Sequence, residues 1–169
     1  MCTQLEHTCL LGTMSGCAEE ITDIAPCTMA VVHETGCLRT HVGSGVAVCL
    51  YDRRQKMAGM NHFLFPRTDD PQKATGRYGN AALIGLHQLM TKHDAPISLV
   101  AHIAGGAYSD EFEIDAVLEN VHIAWKFLHI KGIPLITQHI GGRSAREVQF
   151  NVAAGVFTAR HCALHGQQR

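Results

Sequence analysis

Between Met29 and Arg160 the spacing of apolar residues changes several times, and each change marks a new element. Met29 to Val32 is a short apolar stretch. After Gly36, the β-branched run Val42-Gly43-Ser44-Gly45-Val46-Ala47-Val48-Cys49-Leu50-Tyr51 predicts a buried strand entered through a tight turn. Polar residues Asp52 to Lys56 separate it from Met57 to Phe65, which Pro66 ends, so the two runs predict a β-hairpin. Beyond the Asp69-Asp70-Pro71 loop, Leu83, Leu86, Leu89 and Met90 fall at near-helical spacing and predict an amphipathic helix from about Tyr78 to His93. Ile97 to Ala107 reads as a core strand running into Gly105-Gly106. Ile114, Val117, Leu118, Val121, Trp125 and Leu128 mark a second helix that Gly132 stops. Ile133 to Ile140, Glu147 to Val152 and Val156 to Arg160 read as the remaining strands, punctuated by Gly141-Gly142 and Ala153-Ala154-Gly155.

Hairpin links and only two long helices argue against a doubly wound parallel sheet. The expected fold is a single α/β domain with mixed or antiparallel β layers, its two main helices covering one side. Residues 1–24 show no sustained period and are expected to be an irregular lead, with the folded domain spanning 25–169.

At 169 residues and 46% hydrophobic, the chain has enough apolar surface for one core. Lys and Arg total 14 against 15 Asp and Glu, so no net field draws phosphate backbones or anionic headgroups. Nucleic acid and membrane insertion are therefore not expected. No apolar run approaches the roughly 18 residues a span needs and no leader pattern is evident, so a cytoplasmic protein is expected. Seven cysteines without a CxxC pair read as free thiols. The 12 histidines are scattered, and the nearest approach to a ligand cluster, His161, Cys162 and His165, sits at the C-terminal end. Neither a metal nor a cofactor is implied.

Taken together, Thr40, Gly43-Ser44, Val46-Ala47-Val48, Gly59, His62, Pro66, Tyr78, Gly105-Gly106-Ala107, Asn120, Gly141-Gly142 and Arg146 resemble, in order and spacing, the chemoreceptor glutamine deamidases, the CheD family. Alone, His62 would be a histidine closing a hairpin, Thr40 a turn hydroxyl, and each glycine a backbone requirement. Only the joint pattern, spread from about Leu38 to Arg160, points to chemistry.

The resemblance implies a cysteine on a Gly-Ser-Cys turn, a histidine that activates it and an assisting threonine, acting on glutamine side chains of chemotaxis receptors. A thiolate attacks the amide carbon, the imidazolium protonates departing ammonia, and water then hydrolyses the thioester. By this match His62 is the acid and base, Thr40 the positioning hydroxyl, and Gly43, Ser44, Gly105 and Gly106 form the turns. Where the family has its cysteine this chain has Gly45. Cys49 lies four positions along the same strand, about 13 Å away at roughly 3.3 Å per residue, too far to substitute. Cys37 could approach only if the loop folded back, and the unactivated Ser44 hydroxyl is a weak nucleophile.

Two readings follow. One is a protein-glutamine deamidase impaired by Gly45; the other is a non-catalytic relative docking on receptor cytoplasmic domains or on a CheC-type phosphatase. Either partner is a macromolecule, so the rim around His62 and Gly105-Gly106 is expected to be open.

Overall fold

The computed structural model describes residues 20–92, 97–109 and 114–162. Nine strands and two helices are found among them: β1 (Ile21–Asp23), β2 (Met29–His33), β3 (Cys37–Val42), β4 (Val46–Asp52), β5 (Met57–Phe63), α1 (Gly79–Met90), β6 (Leu99–Gly105), α2 (Ile114–Lys131), β7 (Leu135–Ile140), β8 (Arg146–Asn151) and β9 (Val156–His161). They form two sheets, a four-stranded one in the order β1-β3-β8-β9 and a five-stranded one in the order β2-β5-β4-β6-β7. Both are mixed, since β1 runs parallel to β3 and β6 parallel to β7 while the other pairs are antiparallel. The α/β class, the β layers and the two helices are as the apolar pattern predicts.

The five-stranded sheet is the middle layer. Val46, Val48 and Leu50 of β4 pack with Leu83, Leu86 and Met90 of α1 and with Val121, Ala124 and Leu128 of α2. The alternate residues Ala47, Cys49 and Tyr51 face Leu38, Val42, Val148 and Phe150 of the four-stranded sheet. A central strand covered on both faces must be apolar at every position, which is why β4 reads as an unbroken hydrophobic run. Its turn with β5 is organised by Asp52, whose buried carboxylate accepts from the backbone N–H groups of Arg54, Gln55 and Ser98. Gly132, at φ +65°, ends α2 as expected.

Two strands depart from the sequence reading. Ile21–Asp23, within the expected irregular lead, forms β1 and pairs with Cys37–Arg39; residues 1–19 lie outside the described residues. β3 itself was hidden by Arg39 and His41, which point away from the core while Leu38, Thr40 and Val42 point into it. His161 ends β9 and Cys162 follows it, while His165 lies outside the described residues.

A buried histidine–threonine pair facing Gly45

Pleat alternation puts His62 on the face of β5 that looks toward the four-stranded sheet, and puts Thr40 of β3 on the face that looks back. The two meet across the gap between the sheets, Thr40 Oγ1 lying 3.1 Å from His62 Nδ1. Thr40 has one hydroxyl proton, and it is donated to the carbonyl of Ile24 at 2.7 Å. The hydroxyl oxygen is thus left as an acceptor, so His62 carries its proton on Nδ1 and exposes the lone pair on Nε2. Burial, with His62 only 3% exposed, pulls the imidazole pKa down to about 4, and the ring is neutral at neutral pH.

The free lone pair faces Gly45. A Cβ added at Gly45 would lie 3.1 Å from His62 Nε2, within reach of the basic nitrogen. The same Cβ would lie 3.2 Å from Leu64 Cδ2 and only 2.5 Å from the Phe63 carbonyl oxygen, closer than real contacts allow. The backbone after His62 thus occupies space that a side chain at 45 would use. Gly45 does not have a positive φ, so an L side chain is admitted by its backbone and opposed chiefly by the Phe63 carbonyl, with the Leu64 side chain also crowding it.

Neighbouring elements hold this turn. The N–H groups of Gly106 and Ala107 donate to the carbonyls of Gly45 and Gly43 at 2.8 and 2.9 Å. A Cβ on Gly105 would lie 2.2 Å from the Gly45 carbonyl oxygen, and its φ of +123° excludes ordinary side chains, so glycine is required. Asn120 of α2 donates from Nδ2 to the carbonyls of Ser44 and Leu64, tying the two segments that flank the histidine. Buried Arg146 donates to the carbonyls of Gly105 and Gly141. Asn120 and Arg146 belong to the resemblance, but their spacing disclosed no role. The Ile24 carbonyl could not be read from sequence, because a main-chain acceptor leaves no residue signal.

The structure therefore brings Thr40, His62, Gly45, Gly43, Ser44, Gly105 and Gly106 together. It does not open the rim: Gly45, His62, Gly105 and Gly106 are all buried, and the Phe63 carbonyl and the Leu64 side chain crowd position 45. Nor does it supply another thiol. Cys49 is fully enclosed and burial drives its thiol pKa far up, so it stays protonated. Cys37 lies on β3 three residues before Thr40 and, by alternation, on the opposite face.

Residues 64–161 match the family model for CheD chemotactic sensory transduction. That stretch starts just after His62, so the Thr40, Gly45 and His62 cluster lies upstream of it. The chain is 34% identical over 125 residues, 73% of its length and 67% of the relative's, to a probable chemoreceptor glutamine deamidase CheD 1 of Ruegeria sp. (strain TM1040). It is 38% identical over 122 residues to a probable chemoreceptor glutamine deamidase CheD of Rhodospirillum rubrum, covering 70% of this chain and 69% of the relative. A Caulobacter vibrioides protein of the same description is 35% identical over 130 residues, 75% of this chain and 70% of its own. Among the described residues no helix is long and apolar enough to cross a membrane.

Proposed function

Because this chain belongs to the CheD family, we propose that it keeps the machinery of a chemoreceptor glutamine deamidase around a nucleophile position occupied by Gly45. The observation that carries this reading is the 3.1 Å between a Cβ at position 45 and the lone pair on His62 Nε2. A cysteine there would place its thiol where His62 removes the proton. Thr40 would hold the ring through Nδ1, and the resulting imidazolium would return the proton to departing ammonia. The thiolate would add to the glutamine side-chain carbon, ammonia would leave, and a water deprotonated by His62 would release the glutamate and regenerate the thiolate. The thioester step needs no metal and no redox partner.

Without the nucleophile, turnover in such coupled sites falls on the order of a million-fold. In this reading the present chain is a very poor deamidase that keeps its surroundings for binding receptor cytoplasmic domains, in the cytoplasm where those domains lie. A CheC-type phosphatase is the alternative partner.

The test is glutamine-to-glutamate conversion in a chemoreceptor cytoplasmic fragment, read by mass spectrometry for this chain and its Gly45→Cys variant. Conversion is expected only with the variant: a side chain at 45 displaces the Phe63 carbonyl and Leu64 that crowd it, which opens the new thiol to iodoacetamide while Cys49 stays enclosed. The variant must push the Phe63 carbonyl back, so it should be less stable by roughly 1–3 kcal/mol. Equal conversion by both proteins would overturn the assignment of position 45. A folded variant with a reactive thiol and no conversion would overturn the deamidase reading itself.

A further inference from the structure

The layer between the two sheets has a second end, away from Gly45. Asp52 closes β4 six residues beyond Val46, on the order of 20 Å along an extended strand. Near that end, between the edge strand β7 and the turn leading into the edge strand β9, lies a cavity of about 580 Å3. Tyr51, Val100 and Ile136 give it apolar walls, and Gly155 closes one side. Its volume falls within the range of about 300–1,000 Å3 usual for small-ligand sites.

Two features of the lining bear on what it could hold. His102 lines the cavity yet is only 6% exposed; its ring stacks on Phe157 at 4.9 Å and 11°, and its buried Nδ1 has no hydrogen-bond partner. That nitrogen is closed off even from water, so the ring serves the cavity as a wall and not as a hydrogen-bond partner. Arg53 and Arg54 also line the cavity, both are exposed, and among the described residues neither joins an ion pair. The nearby Asp52 carboxylate does not answer them, since its oxygens accept from the backbone N–H groups of Arg54, Gln55 and Ser98.

We propose that this cavity is a binding site for a small organic carboxylate with an apolar, ring-sized body. The body lies between Tyr51, Val100 and Ile136. The carboxylate meets the guanidinium of Arg53 or Arg54, and the His102 ring adds a further wall for the body. Guanidinium favours planar, two-oxygen anions over point charges, which selects a carboxylate over a halide. The site shares no lining residue with the Gly45 turn, so it stands whether or not the deamidase reading does.

Phenylacetate, benzyl alcohol and benzylamine, titrated into the full chain and followed by 15N-resolved NMR, test it. Phenylacetate should give saturable shifts at Tyr51, Val100, Gly155 and the His102 Nδ1 resonance. Benzyl alcohol should bind at least tenfold more weakly, and benzylamine should leave these signals unmoved. Arg53→Gln with Arg54→Gln, both at exposed positions, should weaken phenylacetate about tenfold and leave benzyl alcohol unchanged. Equal binding of the acid and the alcohol, or no loss in the double variant, would overturn the anion site. Shifts centred on His62, or none that saturate, would overturn the location.

Discussion

Two histidines, His62 and His102, sit in the same layer between the sheets, 3% and 6% exposed, and burial draws both pKa values down to about 4. They differ in what Nδ1 meets. At His62 a threonine whose own proton is committed to Ile24 fixes the ring's tautomer and aims Nε2 at position 45. At His102 the ring is held by stacking on Phe157 and Nδ1 is unpartnered. Burial alone makes an imidazole neutral; only the second partner makes it a directed base. The same physical trait thus leaves a lone pair aimed at position 45 at one end of the layer and an enclosed, unpartnered nitrogen at the other.

Acid should break what the two histidines share. Each imidazole titrates near 6.5 when unfolded and about 4 when folded, so the unfolded chain takes up more protons in that window. Stability is therefore complete above pH 6.5 and declines as the pH falls toward 4, by at most roughly 3 kcal/mol for each histidine. Urea midpoints at pH 7 and 4.5 should differ strongly for the parent and much less after His62→Gln with His102→Gln. An undiminished difference in the double variant would place the acid sensitivity elsewhere.

A smaller effect should erase what separates them. In the Gly45→Cys background, Thr40→Val removes the acceptor on Nδ1 and leaves His62 as unguided as His102. Deamidation should fall on the order of a hundredfold, within the span of positioned proton transfer. An unchanged rate would deny Thr40 its positioning role. The smallest effect belongs to Phe157→Leu, which removes the ring stacked on His102 and admits water. NMR titration should show the His102 pKa rising toward the ordinary value with that of His62 unmoved; parallel movement would mean the two ends are coupled.

Much of the frame was legible in the sequence because period and punctuation agree. The β4–β5 hairpin, both helices and β6 follow from apolar spacing bounded by Gly132, Pro66 and the Gly105-Gly106 pair. β3 escaped because the polar Arg39, Thr40 and His41 interrupt its apolar signal, and β1 because three residues make no period. The resemblance pointed to Thr40, Gly45 and His62, but their meeting depends on one sheet packing over another, and no local pattern encodes that distance. The buried rim went unforeseen for the same reason, since it is made by the main chain at Phe63. The cavity beside His102 was invisible because a histidine in an apolar strand reads as core.

The Phe63 carbonyl resting 2.5 Å from where a Cβ would stand at Gly45 bears on which residues position 45 can take. Even the single methyl of alanine would have to push main chain aside there, so glycine is the residue this backbone fits. Every replacement at 45 is therefore felt at the end of the strand that carries His62, and its effect on chemistry cannot be separated from its effect on that strand unless both are measured.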